Sequence, residues 1–243
     1  MSHFIQIDGV KIPLQIIIER RNGARVALGR NKIILRIPKP LLFGPEVDKH
    51  IKWATNWIQQ LKASKPEVLD RFTQKRVYED GDIFAIGGQN FLLDIKKVDR
   101  DSGHVKLLKE GIIAIEIPES PNYDESKLIK KLLIKFAQKY FLSLFIEKVN
   151  FYNQKYFQKP ISGVRLKYNI SNWGSCSTGK NLNFSVRLLF APDDVIDYVI
   201  IHELAHLVEM NHSDRFWKIV ADIMPDYREK EMNLKKNSSQ YDF

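Results

Sequence analysis

The chain predicts an α+β fold: a mostly β region with one helix over residues 1–118, then a helical region with a small sheet over residues 119–243. Two observations carry this. The first third is made of short β-branched runs separated by Gly and Asn turn signals. Beyond Pro118–Pro121, apolar residues recur at helical spacing instead. With 243 residues, 44% of them hydrophobic, the chain can bury one large core or two modest ones.

Taken in order, Phe4–Ile7, Ile12–Arg20, Arg25–Leu28 and Ile33–Ile37 read as strands, and Pro38 and Pro40 stop that run. Pro45 opens a helix whose Val47, Ile51, Ala54, Ile58 and Leu61 share one face. A second β series follows at Ile83–Ile86, Phe91–Ile95, His104–Leu108 and Ile112–Ile117, broken by Gly87-Gly88, Ser102-Gly103 and Gly111. Pro118 to Pro121 is the natural seam between domains. From Asp124 to about Phe157 one long helix is expected, with Leu128, Leu132, Phe136, Tyr140 and Leu144 along its stripe. Strands are expected around Val164–Tyr168 and Leu182–Leu189. Pro192, followed by Asp193 and Asp194 to complement the helix dipole, opens the next helix. Asp214–Ile223 and Asp226–Leu234 read as two further helices divided by Pro225. The chain shows no internal repeat and no low-complexity segment.

Composition limits the chemistry. Cys176 is the single cysteine, which excludes an internal disulfide framework and a multi-cysteine zinc ribbon, so metal ligands must come from His and carboxylates. The formal charge of +9 favours acidic partners such as nucleic acid or nucleotides, but the lysines are scattered rather than gathered in a tail. The opening MSHFIQIDGVKIPL has no secretory pattern and no stretch approaches the roughly 18 apolar residues of a membrane helix, so a cytoplasmic location without membrane contact is expected.

The chemistry concentrates in His202-Glu203-Leu204-Ala205-His206. Residues four apart on a helix stand on one face about 6 Å apart along the axis, so two imidazoles can reach one ion. Glu203 is rotated by roughly 100° and stands beside that ion, where it can take a proton from water instead of ligating. Val195, Ile196, Val199, Ile200 and Ile201 make the entering helix apolar and buried. Unpartnered imidazoles and a carboxylate are costly there, and a metal would satisfy them.

A catalytic zinc ion takes three protein ligands and keeps one position for water. Glu209 and His212 are the candidates for the third. Glu209 would lie about 10 Å along the axis from His202 on a continued helix, too far for shared coordination. His212 would point away from a continued helix, so it ligates only if the chain turns first. Asn211 tolerates the left-handed conformation that ends helices and Ser213 can cap the next one, which favours His212.

Trp173-Gly174-Ser175-Cys176-Ser177, Leu182-Asn183, Pro192, Ile196-Asp197-Tyr198-Val199, the HELAH run, Asn211-His212-Ser213 and Phe216-Trp217 together resemble the YgjP-like and SprT-like zinc metallopeptidases. The resemblance implies a zincin-like catalytic domain over 119–243, with one zinc ion on His202, His206 and His212 and Glu203 as general base. It also implies a peptide or protein substrate, and that the strand after the WGSCS segment is an edge able to pair with an extended peptide. Trp173, Asn183 and Tyr227 are the candidate substrate-binding residues, Tyr227 as a second donor to the oxyanion. Two departures stand out. Asn172 occupies the place before the Trp where the family often has Arg, and Glu209 stands where a metzincin-like spacing has Gly, so the turn to His212 is expected at Asn211.

Gly174–Lys180 imitates a phosphate-binding loop, but Asn181 replaces the Ser or Thr that would hold magnesium and a strand follows. Cys176 reads as a small packed residue, and Trp173, Phe216 and Trp217 as core anchors. Two other readings compete. The resemblance also covers metal-dependent hydrolysis of nucleoside triphosphates to pyrophosphate, for which three His ligands suit the metal poorly. A basic binding module with a structural metal would need a fourth protein ligand.

Overall fold

The computed structural model describes residues 3–29, 32–39, 45–69, 76–119, 123–238 and 240–243. Pro40 and Pro121, two of the expected boundary prolines, lie outside the described residues. The chain forms two compact units, Met1–Arg76 and Val77–Phe243. Among the described residues no helix is long and apolar enough to cross a membrane.

In the first unit, β1 (His3–Ile7) and β2 (Val10–Glu19) form a hairpin, β2 runs parallel to β4 (Ile33–Pro38), and β3 (Arg25–Leu28) lies antiparallel on β4. Asp8 and Gly9 both take positive φ at the turn, which matches the right-handed strand twist. The two-residue period sends Ile5, Ile7, Ile12, Leu14, Ile33, Leu35 and Ile37 to one face, and α1 (Pro45–Ser64) covers it with Ala54 and Ile58.

The second unit begins with β5 (Ile83–Ile86), β6 (Gln89–Val98), β7 (His104–Leu107) and β8 (Ile112–Pro118). Their order, β5-β6-β8-β7, repeats the order β1-β2-β4-β3, and the ladders repeat too: hairpin, parallel pair, antiparallel edge. The register coincides, with Leu14 opposite Ile33 and Leu93 opposite Ile113. The buried residues correspond as well: Ile7 with Ile86, Ile12 with Phe91, Leu35 with Ile115, Ile37 with Ile117. The molecule therefore contains an internal structural repeat, against the reading of the sequence. What recurs is the alternation of burial and the turn geometry, which many side chains satisfy.

The expected seam at Pro118–Pro121 does not separate two cores. Phe84, Phe91 and Ile115 share one core with Leu133, Phe184, Leu204 and Phe216. Phe84 packs on both Phe190 and Phe243. The four strands before Pro118 thus belong with the helices that follow them, and the boundary between compact units falls before Val77.

The long helix is broken in two, α2 (Glu125–Tyr140) and α3 (Leu142–Tyr152). The buried series Leu133, Ala137, Phe141, Phe145 and Val149 explains the break. Steps of four drift by about 40° each, so a straight helix would carry Val149 away from the face Leu133 uses. Breaking at Phe141 turns both halves to the core and leaves Leu144 exposed. Beyond lie β9 (Gly163–Lys167), β10 (Gly174–Cys176) and β11 (Asn181–Ser185), in the order β10-β11-β9. A 3-10 turn, Val186–Phe190, leads to α4 (Asp193–Ala205), α5 (Asp214–Ile223) and α6 (Tyr227–Asn237).

The β5–β6 turn is fastened to this turn by the Gly87 N–H, which donates to the Leu189 carbonyl at 2.7 Å. Gly87 has φ +59, and a Cβ there would lie 2.3 Å from Phe141 Cε1; Gly88 has φ +70 but open space. Gly87→Ala is expected to cost roughly 2–4 kcal/mol and Gly88→Ala only about 1 kcal/mol, read by denaturant unfolding. Equal losses would mean that backbone strain alone, not the contact with Phe141, requires the glycine.

Candidate metal centre

α4 is apolar nearly all round, with Val195, Ile196, Val199, Ile200, Ile201 and Leu204 buried, so it runs through the core and carries its polar residues into a dry place. The helix ends at Ala205, and His206 is its C-cap. Leu207 and Val208 N–H close 3-10 bonds to the Leu204 and Ala205 carbonyls, after which the chain leaves the helix axis. The turn that frees His212 is made here, not at Asn211. Asn211 is not among the residues of positive φ; its side chain accepts from Ser213 N–H instead. Ser213 caps α5 by accepting from Phe216 N–H, as its type and place suggest.

This path brings His202, His206 and His212 together, one nitrogen from each lying within 4.8 Å of the others. The Nε2 atoms of His202 and His212 are 3.0 Å apart. Two nitrogens on one tetrahedral zinc ion would stand roughly 3.3 Å apart, so the three imidazoles fit a shared ion. His206 Nδ1–H donates to the Glu209 carbonyl at 3.1 Å, which fixes the tautomer and leaves Nε2 free to ligate. Glu209 thus serves through its backbone, a role its side chain did not advertise. Its carboxylate lies 3.9 Å from Arg215 Nε.

Burial sets the electrostatics. It lowers the His202 pKa to about 3, helped by the neighbouring His206 and His212. It also lowers His206, partly opposed by the bond to the Glu209 carbonyl. Both imidazoles are held neutral, the form that binds metal. Glu203, 5% exposed, has its pKa raised to about 8 by burial, and its Oε2 has no hydrogen-bond partner. A buried carboxyl with an unpartnered oxygen, on the residue next to one of three converging imidazoles, is the combination a cation would satisfy. Cys176 is pushed up to about 11 by burial and by Glu203, which keeps it a thiol in the metal-free protein.

Phe216 is the floor of the site, its ring centroid 4.8, 4.5 and 4.8 Å from those of His202, His206 and His212. Trp217 lies against His202 and His212, as an anchor should. Tyr227 is one ring further out. It stacks on Trp217 and Tyr198, and its hydroxyl accepts from Arg228 Nε. Trp173 lies over the Arg187 guanidinium at 4.4 Å with its edge to Tyr241. Asn183 donates from Nδ2 to Ser175 Oγ across β10 and β11. Arg187, which sequence reading did not single out, is buried and donates to the carbonyls of Ser238, Tyr241 and Ile170, tying the C-terminal segment to the loop before β10.

The strand after the WGSCS segment is not an edge: β11 is central, between β9 and β10, and β10, formed by the segment itself, is one of the two edge strands. Trp173 C=O accepts from Ser185 N–H and Ser177 N–H donates to Asn181 C=O, so these residues face β11. Antiparallel alternation then leaves the N–H and C=O groups of Gly174 and Cys176 on the outer side. Asn172 Nδ2 donates to the Gly174 carbonyl at 3.0 Å.

A family model described as YgjP-like, metallopeptidase domain matches residues 24–237. The chain belongs to the YgjP-like metallopeptidase family. Solved structures similar over part of this family member include two metallopeptidase zymogens. Jannalysin of Methanocaldococcus jannaschii shares 19% identity over 38% of this chain and 94% of that chain, with a TM-score of 0.35. Abylysin of Pyrococcus abyssi shares 22% over 38% and 93%, also at 0.35. No curated protein matches the chain.

Glu203 supplies a pH test of the metal-free protein. Its folded pKa lies above its ordinary 4.5, so the folded chain keeps a proton that the unfolded chain releases. Its contribution is complete below pH 4.5 and is lost as pH rises through about 8. Glu203→Gln is therefore expected to stabilise the chelator-treated protein by on the order of a few kcal/mol at pH 8–9 and by almost nothing near pH 4, measured by thermal unfolding.

Proposed function

We propose that the chain is a zinc-dependent peptidase of the HExxH type, with His202, His206 and His212 holding one Zn2+ and Glu203 as the general base. The observation that carries this reading is the convergence of three imidazoles, two of them held neutral by burial, with a buried carboxyl on the residue next to His202 whose Oε2 is unpartnered. Bound there, zinc would polarise the scissile carbonyl and lower the pKa of water towards neutrality.

The chain's own residues do the rest. Glu203 takes the proton of the attacking water and returns it to the leaving amine. Its environment alone pushes its pKa up, while a dication nearby would favour its charged form, so the site holds it near the range a base at neutral pH needs. β10 offers the outward N–H of Gly174 and the outward N–H and C=O of Cys176 to an extended peptide, which would add as a strand beside the base. Trp173 and Asn183 shape that strand from behind rather than from its open edge, and Tyr227 supports the wall behind His202. The all-imidazole ligand set supports zinc over magnesium, and with it peptide over nucleotide hydrolysis.

Glu203→Gln is expected to bind zinc stoichiometrically and to lose at least about 1,000-fold in the rate of cleaving an unfolded protein substrate. Chelation should abolish cleavage by the wild type and added zinc restore it. A zinc-loaded Glu203→Gln protein that cleaves at the wild-type rate would rule the mechanism out. Cleavage of nucleoside triphosphates without cleavage of peptides would move the substrate to the other class.

A further inference from the structure

We propose that Gly174 is a positioning residue for Glu203: the side chain it lacks is the space in which the Glu203 carboxyl sits. This rests on the reading of Glu203 as the base and adds what places it. A Cβ built on Gly174 would lie 2.5 Å from Glu203 Oε1, 2.6 Å from Cγ and 2.7 Å from Cδ. The whole end of the side chain would be struck, not one movable tip. Glu203 has nowhere to retreat. It is 5% exposed, and the residues flanking it on α4, Ile200, Ile201, Leu204 and Ala205, are buried to 1% exposure or less. Contact with Gly174 must therefore be relieved by moving the carboxyl or by moving β10.

Both alternatives disturb the site. Moving the carboxyl by about 1 Å is the scale of misplacement that costs two orders of magnitude in rate. Moving β10 shifts the outward-facing edge, whose Gly174 carbonyl is held by Asn172 and whose neighbours Trp173 and Ser177 are bonded to β11. One residue thus sets the gap between the base and the strand on which an extended substrate would lie. Glycine is required here by close approach and not by backbone conformation.

The test is a double-mutant cycle read in two ways. In the metal-free protein, Gly174→Ala should lower Tm by several degrees in the wild-type background and leave it nearly unchanged in the Glu203→Ala background, where the carboxyl is gone. In the zinc-loaded protein, Gly174→Ala should keep full metal content and lower kcat about 100-fold with KM changed only a few-fold. In the shortened Glu203→Asp background, the same alanine should cost less than about 3-fold, because the methylene removed makes room for the methyl added. If Gly174→Ala does not fold alone, a folded Gly174→Ala/Glu203→Ala protein reports the same relief. Equal losses of Tm in both backgrounds, or unchanged kcat in Gly174→Ala, would overturn the proposal. Full activity of Glu203→Gln would instead overturn the assignment of the base and leave the stability coupling to stand or fall by itself.

Discussion

The end of α4 is the constraint on which the site depends. Had the helix continued past Ala205, His212 would point away from His202 and no third imidazole would be available. The helix stops because Leu207 and Val208 turn back onto Leu204 and Ala205, and because His206 donates its ring N–H to the Glu209 carbonyl beyond the turn. That single hydrogen bond does two jobs. It holds the returning chain and it selects the tautomer of His206 that can ligate. Ser213 then starts α5, which brings Phe216 beneath all three rings.

The dry setting follows from the same helix. α4 is buried along most of its length, so the surroundings of His202 and Glu203 are poorly hydrated and their charged forms are disfavoured. The surrounding structure keeps that region packed. Arg187 links the loop before β10 to the C-terminal segment, and Phe243 packs between Phe84, Phe190 and Tyr168. The four strands Ile83–Pro118 are part of this enclosure through Phe84 and through Gly87, whose N–H is fastened to the turn before α4. Metal chemistry and core packing are therefore one problem in this unit.

Much of this was legible in the residues. The fourfold spacing of His202 and His206 survives because it is a helix property, and the eight strands of the two β series appear within a few residues because alternation is local. His212 was reached by asking where the chain must turn, but the turn was placed at Asn211 when His206 itself makes it. The pattern of side chains could not reveal this, since termination rests on backbone bonds to Leu204 and Ala205. β10 was missed because Gly174-Ser175-Cys176 has no β-branched or aromatic residue, and so the edge was assigned to β11. The break at Phe141 and the boundary before Val77 are tertiary facts, decided by which core each residue joins. The repeat of the first four strands in the next four is visible only once register and burial are compared. The need for Gly174 belongs to the same class: its signal is the emptiness beside Glu203.

The central claim is that three imidazoles, and no other side chain, hold one catalytic ion. X-ray absorption of the zinc-loaded protein tests it most directly. The account predicts one zinc per chain with three imidazole nitrogens and one exchangeable oxygen at about 2.0–2.1 Å, and a His212→Ala variant that loses one imidazole from the shell. A sulfur ligand at about 2.3 Å, which Cys176 alone could supply, or a shell of four protein ligands unchanged in His212→Ala, would contradict it.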